Sequence, residues 1–164
     1  MREIRIEEGY PYRQEILKLF TEYTDMLIKG DPEFAGYLDI QHYDKETRDL
    51  SLKYGRPDGR LYIAFCGDRP AGCAALRKID NERCEIKRLY VREEYRDRGL
   101  GKELMLLIRS EAKKAGYKFL LLDTLPFLEK AISMYRKYGF YEIGCYNDSP
   151  IENTIYMMCE LDNI

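Results

Sequence analysis

The chain is 164 residues long, 45% hydrophobic and 34% charged, with a formal net charge of -2 at neutral pH. These proportions exclude a disordered or membrane-embedded chain, and the length suits one domain over residues 1–164. The slightly acidic balance offers nucleic acid no basic surface, and no apolar run approaches the ~20 residues that span a bilayer.

The first eight residues alternate charged and apolar side chains where a secretory leader needs an unbroken apolar stretch, so a cytoplasmic address is expected. Ile4 and Ile6 in that alternation predict a half-buried strand. After Pro11, the residues Ile16, Leu17, Leu19, Phe20, Tyr23, Met26 and Leu27 recur at intervals of three and four, predicting an amphipathic helix that ends near Gly30. Residues 31–42 are mixed, and residues 43–54 read as a second, weaker helix. The apolar runs 60–65 and 71–79 flank a turn composition at 66–70, which predicts a hairpin, and a strand over 84–91 extends it to a meander.

From Gly101 onward, Leu104, Leu107, Ile108, Ala112 and Ala115 form a helical stripe closed by Gly116, a residue suited to a left-handed cap. The run 119–122 has the continuous apolar character of a strand covered on both faces. Pro126 is expected to open a helix carrying Leu128, Ala131, Ile132, Tyr135 and Tyr138 and ending at Gly139, and strands over 140–145 and 153–161 complete the chain. The five cysteines are scattered, lack any Cys-x-x-Cys pair and have one histidine for company, so reduced thiols and no metal site are expected.

Charge is unevenly spread. Residues 1–50 hold 7 basic and 12 acidic side chains, a balance of -5, whereas residues 76–120 hold 13 basic and 8 acidic, a balance of +5. The middle of the chain therefore favours an anionic ligand and the N-terminal part a cationic one, although solvated helix faces give the same sums. Within the basic stretch, Arg96-Asp97-Arg98-Gly99-Leu100-Gly101-Lys102 joins a strand to a helix start. Two glycines spaced by one residue let several N–H groups converge at a helix N-terminus, a nest for phosphate or pyrophosphate. The spacing fits neither the Gly-x-x-x-x-Gly-Lys loop nor the Gly-x-Gly-x-x-Gly fingerprint, since position 104 is leucine. A purely structural glycine turn remains the alternative reading of the loop by itself.

Arg96-x-x-Gly99-x-Gly101, together with Ala131-x-x-x-Tyr135-x-Lys137-x-Gly139-Phe140, resembles the two motifs of the GCN5-related N-acetyltransferase (GNAT) family. The resemblance implies the α/β (α+β) acyl-CoA N-acyltransferase fold, with a mixed sheet of about seven strands, about four flanking helices and a splayed fourth and fifth strand. It implies acetyl-CoA as cosubstrate, with Arg96, Asp97, Arg98, Gly99, Leu100, Gly101 and Lys102 at the phosphates and Leu89, Tyr90 and Val91 along pantetheine. Lys137 belongs to the second motif and is assigned to the cofactor with it. Many relatives carry Asn where this chain has Leu128, and Thr124 is the expected substitute for that contact.

Acyl transfer from a thioester to a primary amine requires a neutral amine and a proton for the departing thiolate. By the resemblance, Glu85 is the expected general base and Tyr135 the expected general acid. The residues alone also allow Glu85 as a strand carboxylate paired with Lys87 or Arg77, and Tyr135 as a core aromatic. Tyr37, His42, Tyr43, Tyr146, Asp148 and Glu152 in the variable segments suit a cationic amine, on a small molecule or a protein. A homodimer is compatible with this reading; nucleic acid and membrane are not expected partners. The competing class is a non-catalytic acyl-CoA sensor.

Overall fold

A computed structural model describes residues 3–164, in which seven strands form one sheet ordered β1-β2-β3-β4-β5-β7-β6. Met1 and Arg2, where the leader reading begins, lie outside the described residues. Strands β2 (Arg60–Cys66), β3 (Arg69–Lys78) and β4 (Arg83–Val91) form the expected antiparallel meander, and β1 (Ile4–Glu8) joins its β2 edge antiparallel. β5 (Phe119–Thr124) joins β4 in parallel, and β7 (Ile155–Glu160) lies antiparallel between β5 and β6 (Tyr141–Ile143).

Six α-helices accompany the sheet: α1 (Arg13–Gly30), α2 (Phe34–Ile40), α3 (Tyr43–Arg48), α4 (Ser51–Tyr54), α5 (Leu100–Lys114) and α6 (Glu129–Lys137). The excess over the expected number arises between α1 and β2. Phe34, Tyr37 and Leu38 repeat at helical spacing for only two turns, and they are held by packing on Leu27, Leu125 and Ile151 rather than by propensity. The expected 43–54 helix breaks because Asp49 turns extended and its carboxylate accepts from the backbone N–H (3.0 Å) and hydroxyl (2.6 Å) of Ser51. Pro126 precedes α6 rather than opening it. No described helix is long and apolar enough to cross a membrane.

Strand alternation divides the sheet into two faces. Ala74 and Leu76, Cys84 and Ile86, and Leu120 and Leu122 pack with Leu104, Met105 and Ile108 of α5. Cys73 and Ala75 pack on the other face with Leu19 and Phe20 of α1. Each fully buried leucine or isoleucine contributes ~2 kcal/mol of apolar burial, so this two-sided core fixes which way every polar strand residue points. Glu85 and Lys87 of β4, and Asp123 of β5, accordingly face α1 and α2.

The strand splay is a matter of register. β4 and β5 pair only at Arg83–Phe119, Cys84–Leu120 and Glu85–Leu121. Beyond Glu85, β4 follows β3 alone, and from Leu122 β5 follows β7 alone. A bulge accompanies the parting: Ala75 faces Lys87 but Cys73 faces Tyr90, so Arg88 and Leu89 oppose the single residue Ala74. Arg88 takes a left-handed φ of 58° there.

Candidate active site

Two adjoining cavities open where β4 parts from β5, the smaller between the two strands and the larger between the end of β4 and the α6 segment. The larger is a groove of about 660 Å³ running from the gap to the N-terminus of α5. Leu89, Tyr90 and Val91 line one side, Arg96, Asp97, Gly99, Leu100, Gly101 and Lys102 form one end, and Leu128, Ala131 and Met134 of the α6 segment close the other side. Its volume is in the range of small-molecule and cofactor sites.

The end of the groove is built for anions. Gly99 has φ 77°, which sets the chain into α5, and the first intrahelical bond runs from the Glu103 N–H to the Gly99 carbonyl at 3.0 Å. The N–H groups of Leu100, Gly101 and Lys102 therefore fall in the first helical turn, where no carbonyl of the same helix can receive them. A Cβ on Gly101 would stand 3.8 Å from Val91 Cγ2, an ordinary contact. Arg96 donates from Nε to the Val91 carbonyl (2.8 Å), which ties the loop to the end of β4. Asp97, with φ 62°, reaches across the groove to Lys130 at 3.5 Å, with both side chains exposed.

Three residues expected at the cofactor do not line the larger groove. The Arg98 guanidinium turns back over the Tyr95 ring, 5.8 Å from its centroid, and does not line the groove. Lys137 ends α6 and stacks over the Tyr138 ring at 5.7 Å, because the rotation of the helix carries it away from the face bearing Ala131 and Tyr135. Thr124 is buried and lines the second, smaller cavity.

That second cavity, about 40 Å³, passes through the sheet where the strands part. Tyr37 of α2 and Gln41 at its C-cap, Lys87 and Arg88 of β4, and Asp123 and Thr124 of β5 contribute to its polar lining. Tyr23, Leu89 and Tyr135 line both cavities and so mark their junction. Tyr135 stands there from the α6 side, 7% exposed and edge-on to Phe140 at 5.5 Å. Burial, then the nearby Tyr23 and Asp123, push its phenol well above the ordinary value, so it keeps its proton at neutral pH.

Glu85 is 1% exposed and lines neither cavity. Its Oε1 accepts from Arg77 Nε at 2.6 Å, and its Oε2 accepts the Tyr146 hydroxyl. Burial opposes its ionisation, but Lys87 and Arg77 outweigh that, and the carboxyl is held below the usual range. The Tyr146 phenol is pushed far up by burial and by Glu85. Asp123, by contrast, lines the smaller cavity and accepts from the Tyr37 hydroxyl and from Asn147 Nδ2 (2.7 Å), while Asn147 Oδ1 accepts from Tyr156 at 3.2 Å. Of the remaining acceptor candidates, Tyr43 stacks under Arg88 at 5.1 Å, whereas His42, Asp148 and Glu152 are exposed.

Gln41 and Asp123 escaped the sequence reading, and Lys87 entered it only as a partner for Glu85. A polar residue at alternate positions of β4, and one that ends the apolar run of β5, were the available signals.

Comparison with known proteins agrees with this architecture. The sequence pattern of the acetyltransferase (GNAT) family matches residues 9–140. The chain is similar to an uncharacterized N-acetyltransferase of Schizosaccharomyces pombe, 37% identical over 131 residues that cover 79% of this chain and 80% of that protein. In fold it is similar to an acetyltransferase from Streptococcus agalactiae, with a TM-score of 0.76 at 19% identity, covering 98% and 99% of the two chains. A GNAT family acetyltransferase from Elizabethkingia anophelis, solved with acetyl-CoA bound, is 28% identical with a TM-score of 0.56, covering 71% of this chain and 82% of that one. The protein belongs to the acetyltransferase (GNAT) family.

Proposed function

We propose that the chain transfers an acetyl group from acetyl-CoA to a primary amine by direct attack, with the donor in the larger groove and the amine in the smaller cavity. The observation that carries this reading is the position of Tyr135 at the junction of the two cavities. The glycine-loop nest suits the pyrophosphate, and the acetyl-CoA bound by the Elizabethkingia relative supports the same donor here. Tyr90 and Tyr23, with ring centroids 5.9 Å apart, give the groove an aromatic flank.

Bound acetyl-CoA supplies a thioester, at whose carbonyl carbon the amine forms a C–N bond while the C–S bond breaks. Tyr135 delivers its phenolic proton to the departing sulfur and recovers one from solvent. Asp123 holds the incoming ammonium, takes its first proton and passes it to solvent, since it is the carboxylate that lines the amine cavity; the second nitrogen proton leaves to solvent as the tetrahedral adduct collapses to the amide. Glu85, expected as the base, is assigned a supporting role, fixing Arg77 and Tyr146 on the same sheet face.

The test is coenzyme A release from purified protein with acetyl-CoA and a broad amine panel, run beside Tyr135→Phe. Acetylation of at least one amine, slowed ~100-fold or more in the variant, is expected. Saturable acetyl-CoA binding with no amine acetylated would leave the sensor class as the answer, and full activity in Tyr135→Phe would remove the tyrosine from the mechanism.

A further inference from the structure

The smaller cavity is lined by two opposite charges, Lys87 and Asp123, that form no ion pair with each other. If the parallel register of Arg83–Phe119, Cys84–Leu120 and Glu85–Leu121 continued, Lys87 would stand beside Asp123. Pairing ends at Glu85, and among the described residues no ion pair joins the two, although both line the cavity.

The Lys87 end is rich in donors and lacks acceptors. Gln41 Oε1 accepts from Lys87 Nζ (2.8 Å) and from Arg88 Nη2 (2.9 Å). Both neighbours can only donate, so the amide orientation is settled by chemistry: oxygen toward the cations, Nε2 away from them. Nε2 is buried without a hydrogen-bond partner, in a residue that lines the cavity. The Lys87 side chain is 8% exposed, and no carboxylate lies within ion-pair distance of it among the described residues. Arg88, beside it, has its charge met by Glu46 through two contacts of 2.8 Å. One cation with no direct ion pair among the described residues, its charge felt by Glu85 on the same strand and its Nζ 5.9 Å from the Tyr37 ring centroid, and one unpaired amide N–H group thus face a space that Asp123 bounds elsewhere. Such groups are costly to bury unless something accepts from them.

We infer that the acceptor is a zwitterion of the amino-acid type, its ammonium on Asp123 and its carboxylate on Lys87 Nζ and Gln41 Nε2. A single negative charge matches the lysine that lines the cavity, and a planar carboxylate can accept from both donors at once. This rests on the acetyltransferase reading above and narrows its acceptor class.

The experiment compares each common amino acid with its carboxamide and its decarboxylated amine as acceptors, in wild type, Lys87→Met and Gln41→Glu. At least one amino acid is expected to exceed its two carboxylate-free partners tenfold or more in kcat/KM. Lys87→Met should bring the three within about threefold, and Gln41→Glu should invert the order toward the uncharged carboxamide. Equal use of acids and carboxylate-free amines by the wild type overturns the inference and leaves acetyl transfer standing. Saturable acetyl-CoA binding with no amine of any kind acetylated overturns both. The wild-type comparison decides the matter even if a variant fails to fold.

Discussion

The guanidinium of Arg88 closes a two-pronged ion pair on Glu46, with Nε 2.8 Å from Oε2 and Nη2 2.8 Å from Oε1. Both side chains are almost fully buried, and Lys53 adds a third contact to Glu46 at 2.9 Å. The pair joins α3 to the bulge in β4, where Arg88 holds a left-handed φ that a side chain makes costly by ~1 to 2 kcal/mol. The helical excursion between α1 and β2 thus anchors the place where the strands part.

Glu46→Gln should lower stability by about 3 to 5 kcal/mol, because Arg88 is left buried without its counter-charge. Burial alone would raise the Glu46 carboxyl, but Arg88 and Lys53 override it and hold the pKa at about 2. A depressed folded-state pKa means that the stabilisation is complete above the unfolded value and is lost as pH falls through about 2. Denaturant melts of wild type and variant should therefore differ most at neutral pH and converge in strong acid; a constant gap would contradict this account.

Gly99→Ala tests the nest by backbone strain alone, since a Cβ there would meet nothing within 4 Å but φ is 77°. Coenzyme A affinity should fall about tenfold, matching ~1 to 2 kcal/mol of left-handed strain. Gly99→Asn should recover most of the loss, since asparagine tolerates that region. Calorimetric titration with coenzyme A would read both variants, and equal loss in the two would point to crowding instead.

Gly72→Ala fails for the opposite reason. Gly72 pairs with Val91, and a Cβ would stand 2.6 Å from the Tyr90 carbonyl oxygen, which is backbone and has little room to retreat. A stability loss of about 1 to 3 kcal/mol is expected, together with weaker coenzyme A binding as the end of β4 moves. Thermal unfolding and the same titration report the two effects; a neutral outcome in both would show that β3 can give way.

Asp123→Asn and Glu85→Gln separate the two carboxylates of the shared sheet face. Asp123→Asn should cost ~100-fold or more in turnover with coenzyme A affinity preserved. Glu85→Gln should act through stability, since Arg77 and Tyr146 lose a charged partner. That penalty should be present above the ordinary carboxyl pKa and fade as pH falls through the lowered folded-state value. A Glu85→Gln enzyme of normal stability but no turnover would return the proton-accepting role to Glu85.

Cys145 is the one exposed cysteine among five free thiols. A disulfide reagent should titrate about one thiol rapidly in the native protein and all five after denaturation. Cys145→Ser should abolish the fast phase, which also clears the background for any assay that detects coenzyme A by its thiol. A second fast thiol would place Cys66, Cys73, Cys84 or Cys159 nearer solvent than the fold allows.

Much of the fold was legible because its signals are local. The period of α5, the alternation of β2 to β4 and the glycines that turn the loop at 99–101 each need only a few adjacent residues to declare themselves. The short α2 was not legible, since its two turns are held by Leu27, Leu125 and Ile151, contributed by three other segments. Leu89 to Val91 and Arg96 to Lys102 were readable as two short segments, whereas Tyr95, which also lines the groove, was not singled out, and the direction of Arg98 depends on the Tyr95 ring.

The sequence by itself determined the anion-binding end of the groove, because a strand, a glycine turn and a helix N-terminus are consecutive and carry their chemistry in backbone N–H groups. Tertiary structure decided the rest. Only the point at which β4 leaves β5 shows that Lys87 and Asp123 face one cavity without pairing, and only the packing of α2 and the 144–154 loop shows Glu85 closed by Arg77 and Tyr146 while Asp123 lines the cavity. Those relations join residues far apart in the chain, and their distances follow from register and packing, which no short stretch of sequence contains.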